Sequence, residues 1–150
     1  MKGYPRGFRP VLHGVSQALF ITGLLLIPSM LDMRLEWDVP NFSAGTRFWA
    51  AAAHALLAFC GAILLGAVWA LHARSGWRGK HNVMSGALII VLLAGLILTG
   101  IGIYYIGDQT GSLLASVIHL LVGLSVPFML VYHLTIGKRL SNRRKYRHKT

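Results

Sequence analysis

Residues 112–137 read SLLASVIHLLVGLSVPFMLVYHLTIG, twenty-six positions without a formal charge. A stretch of this length exceeds the roughly 20 apolar residues that cross a hydrocarbon core of about 30 Å. Two histidines, His119 and His133, stand within it fourteen residues apart. In an α-helix fourteen residues fall about 40° short of four turns and rise about 21 Å, so both imidazoles leave one face at opposite depths. One helix can therefore serve two levels of a membrane.

Three earlier windows have the same character, at 11–31, 48–71 and 82–106. With 55% hydrophobic and 13% charged residues in 150, the chain has too little polar surface to cover a soluble core. The expected fold is all-α, an integral membrane four-helix bundle in one domain over 1–150, with a basic tail at 138–150. Lys2, Arg6 and Arg9 precede the first window as they would in a signal peptide. No small-residue cleavage site follows Pro28, Ser29 and Met30, which predicts a retained helix. No internal repeat or linker interrupts the pattern. The longest connection, 32–47, is too short to fold alone, so any chemistry must lie in or between the helices.

Charge placement sets an orientation. Of fifteen Lys and Arg residues, three precede the first window, three lie between the second and third, and seven follow Gly137. All four acids, Asp32, Glu36, Asp38 and Asp108, lie in the other two connections. The positive-inside rule then predicts both termini and the middle loop in the cytoplasm, N-in and C-in, with the acidic loops outside. The net charge of +11 is topological on this reading, and the tail suits anionic lipid head groups rather than nucleic acid. Trp37, Trp49, Trp69 and Trp77 fall near the predicted interfaces, as in an aromatic belt.

A single cysteine, Cys60, excludes an internal disulfide, a C-x-x-C-H haem attachment and an iron–sulfur cluster held by this chain alone. Its reading is that of a small packing residue.

The histidines sort by depth. His54 lies seven residues inside Arg47 and His119 seven inside Ser112, each about 10 Å below the outer surface. His13 lies four inside Arg9 and His133 five inside Lys138, about 6 to 8 Å below the inner surface. Histidine within a membrane is costly unless neutral and partnered, so two level pairs need a cause. Bis-histidine haem b supplies one, since each iron takes two axial imidazoles from facing helices. Gly123 and Gly61, on the histidine faces of their own helices, are the expected points of close approach. Packing histidines and a proton relay remain open alternatives. His72, eighteen residues from His54 and on its face, competes with His13 for the inner iron. His13 is preferred, because His72 would end its helix close to water.

These residues resemble the diheme cytochrome b subunits of respiratory formate dehydrogenases, where the subunit is called gamma, and of membrane-bound nickel–iron hydrogenases. Arg9-Pro10-Val11-Leu12-His13 is similar to the Arg-x-x-x-His opening of the family's first helix, and Thr22-Gly23-Leu24 to a Thr-Gly-Leu farther along it. His54 matches the second-helix ligand, and His119 with His133 match the fourth-helix pair. The resemblance implies two haem b groups, the outer on His54 and His119 and the inner on His13 and His133. Gly79-Lys80-His81-Asn82 is similar to a segment opening the third helix, whose asparagine lies at a quinone site. Asn82 is thereby a candidate quinone contact, with a plain helix cap as its other reading.

The resemblance further implies a bacterial inner membrane, a periplasmic iron–sulfur subunit with a catalytic oxidoreductase subunit as partner, and menaquinone or ubiquinone as diffusible partner. The chain would be an electron-transfer subunit of a respiratory oxidoreductase complex rather than its primary catalytic subunit. It is shorter than larger members, with trimmed loops, and nothing in it resembles a molybdenum, nickel or flavin site. The competing classes are a haem-free membrane anchor or assembly subunit and a small proton-coupled carrier.

Overall fold

The computed structural model of the chain describes residues 5–79 and 82–147, with side chains through residue 140. Four long helices make up the fold: α1 (Phe8–Leu35), α2 (Ala44–Val68), α3 (Val83–Tyr105) and α4 (Gln109–Arg147). Beyond Val68, α2 passes through a π-helical turn, Trp69–Ala73, and continues as Arg74–Arg78, giving one span of 35 residues from Ala44 to Arg78. No strand occurs among the described residues. All four helices are long and apolar enough to cross a membrane, as the sequence predicts.

Three of the helices, α1, α2 and α4, outrun their apolar windows because helical hydrogen bonding continues until something caps it, whereas α3 stops one residue inside its own at each end. Glu36 ends α1 in a left-handed conformation (φ 55°), with its N–H and that of Trp37 both donating to the Leu31 carbonyl. Ser43 opens α2, its hydroxyl accepting from the Thr46 N–H at 3.3 Å. Between them Asn41 folds the loop back onto α1. Its amide donates to Asp32 Oδ2 at 2.8 Å, and its Oδ1 accepts from Ser29 Oγ at 3.0 Å. At the other hairpin Asp108 Oδ2 accepts from the Gly111 N–H at 2.7 Å, placing an acid where the N-terminal partial charge of α4 favours one.

Packing is inverted relative to a soluble bundle. Ser85, Ser112, Ser116 and Ala115 are the buried residues among those described, whereas Phe128 and Leu98 are 78% and 69% exposed. Large apolar side chains outside and small ones between helices suit a lipid surround, where close backbone approach rather than oil–water separation joins helices. Gly102 illustrates the closeness, since a Cβ there would lie 3.3 Å from the Ala115 Cβ. The most extensive contact joins α3 to α4, the next joins α1 to α2, and α1 also touches α4. At the acidic end Arg34 Nη1 donates to Ser112 Oγ at 2.9 Å, linking α1 to α4. Two helical hairpins thus lie side by side, with histidine-bearing α2 and α4 each backed by the helix that precedes it.

Candidate functional site

Two imidazole pairs occupy two levels of the bundle. Toward the acidic end His54 on α2 faces His119 on α4, with ring centres 6.2 Å apart and planes at 76°. Toward the basic end His72, inside the π turn, faces His133 on α4, at 6.4 Å and 85°. The fourteen residues between His119 and His133 separate the levels by about 21 Å along α4.

Each mid-helix ring is met from the preceding helix by a hydroxyl and a glycine. Thr22 Oγ1 lies 2.9 Å from His54 Nδ1, Thr99 Oγ1 lies 3.0 Å from His119 Nδ1, and Ser85 Oγ lies 2.9 Å from His133 Nδ1. The next residue is glycine in every case. A Cβ at Gly23, Gly100 or Gly86 would lie 3.3, 3.5 or 3.6 Å from Cε1 of the same imidazole. Glycine therefore brings the neighbouring backbone against the ring edge, and the hydroxyl one residue earlier takes Nδ1.

Of this Ser/Thr-Gly device the sequence singled out only Thr22-Gly23; Thr99-Gly100 and Ser85-Gly86 were missed although a signal existed. Ser85 and Thr99 are fourteen residues apart, the interval of His119 and His133. In an antiparallel hairpin equal intervals let both contacts form in one register. The glycines expected at the rings have another use. A Cβ at Gly61 would lie 3.0 Å from Leu19 Cδ1, and one at Gly123 3.8 Å from Leu96 Cδ2, so both serve contact between helices.

His13 and His72 exchange their expected positions. The sequence preferred His13 opposite His133, but His13 is exposed on α1 and His72 faces His133. The cause is rotational. Nine residues separate His13 from Thr22, which is two and a half turns, so a helix that points Thr22 at His54 points His13 the opposite way. Nor does His72 end its helix, because α2 runs on to Arg78.

Asn82 stands at the N-cap position of α3 in a left-handed conformation (φ 49°), yet its side chain caps no backbone N–H. Its amide instead donates to the His133 carbonyl at 3.1 Å, while its Oδ1 accepts a short hydrogen bond from Ser85 Oγ. The amide nitrogen also lies 3.3 Å from His133 Nδ1, farther than the Ser85 hydroxyl. Asn82 and Ser85 thus form one polar cluster around His133. Lys80, His81, His148 and Lys2 lie outside the described residues.

The geometry suits a metal held between two imidazoles. A metal with an imidazole nitrogen on either side at about 2.0–2.1 Å separates the ring centres by roughly 6 to 6.5 Å once the ring radius is added. Both pairs fall in that range. On His54, His119 and His133, where a hydroxyl meets Nδ1, Nε2 is the nitrogen left to coordinate. No group of three or more His, Cys, Asp or Glu converges among the described residues. His54 with His119, and His72 with His133, are the residues that would hold a haem iron, which would supply one-electron redox chemistry.

Fold and site together define a multi-pass helical bundle carrying two facing histidine pairs at two depths. Compared with protein-family models, curated proteins and solved structures, the chain finds no match.

Proposed function

We propose that the chain is a diheme b-type cytochrome, the membrane subunit of a respiratory oxidoreductase complex that carries electrons between an outer iron–sulfur partner and the quinone pool. The observation that carries this reading is the pair of facing imidazoles repeated at two levels, 6.2 and 6.4 Å between ring centres. The level near the acidic end is held by His54 and His119. That near the basic end is held by His72 and His133, with His72 in the place first given to His13. Each haem, when bound, supplies a one-electron ferric/ferrous couple.

The chain's own part is to fix positions and exclude water. A span of α4 about 21 Å long keeps the two levels at constant separation, and each hydroxyl behind Nδ1 orients its ring and raises its basicity as a ligand. Leu98, Leu121 and Phe128, exposed on α3 and α4, offer apolar side chains to the lipid. Exchange with menaquinone or ubiquinone is assigned to the basic end on the family resemblance, with Asn82 and Ser85 holding His133 beside it. On the positive-inside rule the basic end faces the cytoplasm and the acidic loops face outward; the bacterial inner membrane and the periplasmic partner rest on the family resemblance.

The test is a reduced-minus-oxidised spectrum of the purified full chain with haem quantification. Two low-spin haem b per chain are expected, falling to one when His133 is replaced by alanine. A correctly folded chain that carries no haem would overturn the proposal and leave a haem-free anchor in its place.

A further inference from the structure

Thr22 and Thr99 occupy equivalent places in the two hairpins. Each lies one residue before a glycine, on the helix preceding a histidine helix, with its Oγ1 against Nδ1 of His54 or His119. What matters is where the hydroxyl proton goes. Thr22 Oγ1 donates to the Ala18 carbonyl at 2.8 Å and Thr99 Oγ1 to the Gly95 carbonyl at 2.7 Å. These carbonyls sit four residues back on the same helix, so they are always present to receive the proton.

A hydroxyl has one proton and two lone pairs. With that proton spent along the helix, only an oxygen lone pair faces the imidazole, and Nδ1 must supply the hydrogen. We infer that Thr22 and Thr99 are positioning residues that hold His54 and His119 in the Nδ1–H tautomer, which turns both Nε2 lone pairs over to one shared metal. A free imidazole in water samples both tautomers. Here the choice is made before any cofactor arrives, on both sides of the layer and by the same device.

The assignment rests on the haem reading for its purpose but not for its first test. In the full chain labelled with ¹⁵N-histidine, produced without haem and placed in phospholipid nanodiscs, the ring nitrogen shifts report the tautomer directly. His54 and His119 are expected as Nδ1–H. Thr22→Val and Thr99→Val should each release one histidine to a mixture, while Thr22→Ser and Thr99→Ser, which keep the hydroxyl, should not. An Nε2–H tautomer in the unsubstituted chain, or valine variants that leave the shifts unchanged, would overturn the inference. Should either valine variant fail to fold, the tautomer in the unsubstituted chain still decides.

In the haem-loaded chain, Thr99→Val should lower haem affinity at that layer by about 10- to 100-fold, the usual cost of losing the hydrogen bond behind a ligating imidazole. It should also raise that layer's midpoint potential, because a less basic imidazole stabilises ferric iron less, and leave the other layer unmoved. Equal movement of both potentials would count against a local role. Failure to load any haem would instead remove the functional reading while leaving the tautomer result standing.

Discussion

The two histidine layers reach nearly the same spacing by different means. Near the acidic end His54 and His119 sit in unbroken α-helix, and each Nδ1 meets a threonine one helix away. Near the basic end one ring comes from a π turn and the other is held by Ser85 and by Asn82, a residue with positive φ. Regular helices suffice at the acidic-end layer. Closer to the water, where α2 leaves the apolar window, the fold uses departures from regularity. π turns and left-handed non-glycine residues are uncommon because they cost conformational energy, and they recur at functional positions.

The largest expected effect separates the two candidates for the basic layer. His72→Ala should take that layer's haem away, halving haem per chain, while His13→Ala should leave two. Haem quantification on both variants reads the outcome, and the reverse result would return the ligand to α1. Next is the polar cluster. Asn82→Ala should weaken the same haem by about 10- to 100-fold, measured by haem titration, with the other layer retained. If both layers weaken together, the contrast between them is false.

A smaller effect tests the glycines. Gly23→Ala places a Cβ 3.3 Å from His54 Cε1, which obliges the ring to give by a few tenths of an ångström, whereas Gly100→Ala places one at an ordinary 3.5 Å from His119 Cε1. Haem content at the acidic layer should fall with Gly23→Ala and change little with Gly100→Ala. The smallest effect lies outside both layers. Ser112→Ala removes the acceptor of Arg34 and a bond to the Ile103 carbonyl, and should cost about 1–3 kcal/mol. Thermal unfolding in detergent should register this with unchanged haem spectra.

Much of this was legible in the sequence, for reasons that can be named. Spans follow from apolar length, and depth follows from counting inward from Arg47, Ser112 and Lys138, so the pairing of His54 with His119 needed only the rise of a helix. Rotation about the helix axis is what depth does not carry. His13 lies at a suitable height, yet the face it occupies was fixed by the contact between Thr22 and His54, which counting inward cannot reveal. His72 was already on the His54 face by counting, but the π turn and the run of α2 on to Arg78, which keep His72 inside the helix, have no residue signature comparable to a cap or a proline. Asn82 was read as a cap or a quinone contact because its partner, His133, is 51 positions away.

The equal intervals on α3 and α4 have a further consequence. Thr99 and His119 each lie ten residues from Gln109, and Ser85 and His133 each lie twenty-four from it. The hairpin therefore behaves as a caliper whose pivot is the short turn at 106–108. A residue inserted in that turn would shift both jaws by one step and leave their opening unchanged. A residue inserted between Ser85 and Thr99 would spoil one mark while keeping the other, and only a matching insertion between His119 and His133 would restore the scale. The distance between the two layers is thus a quantity that this chain can change only in pairs.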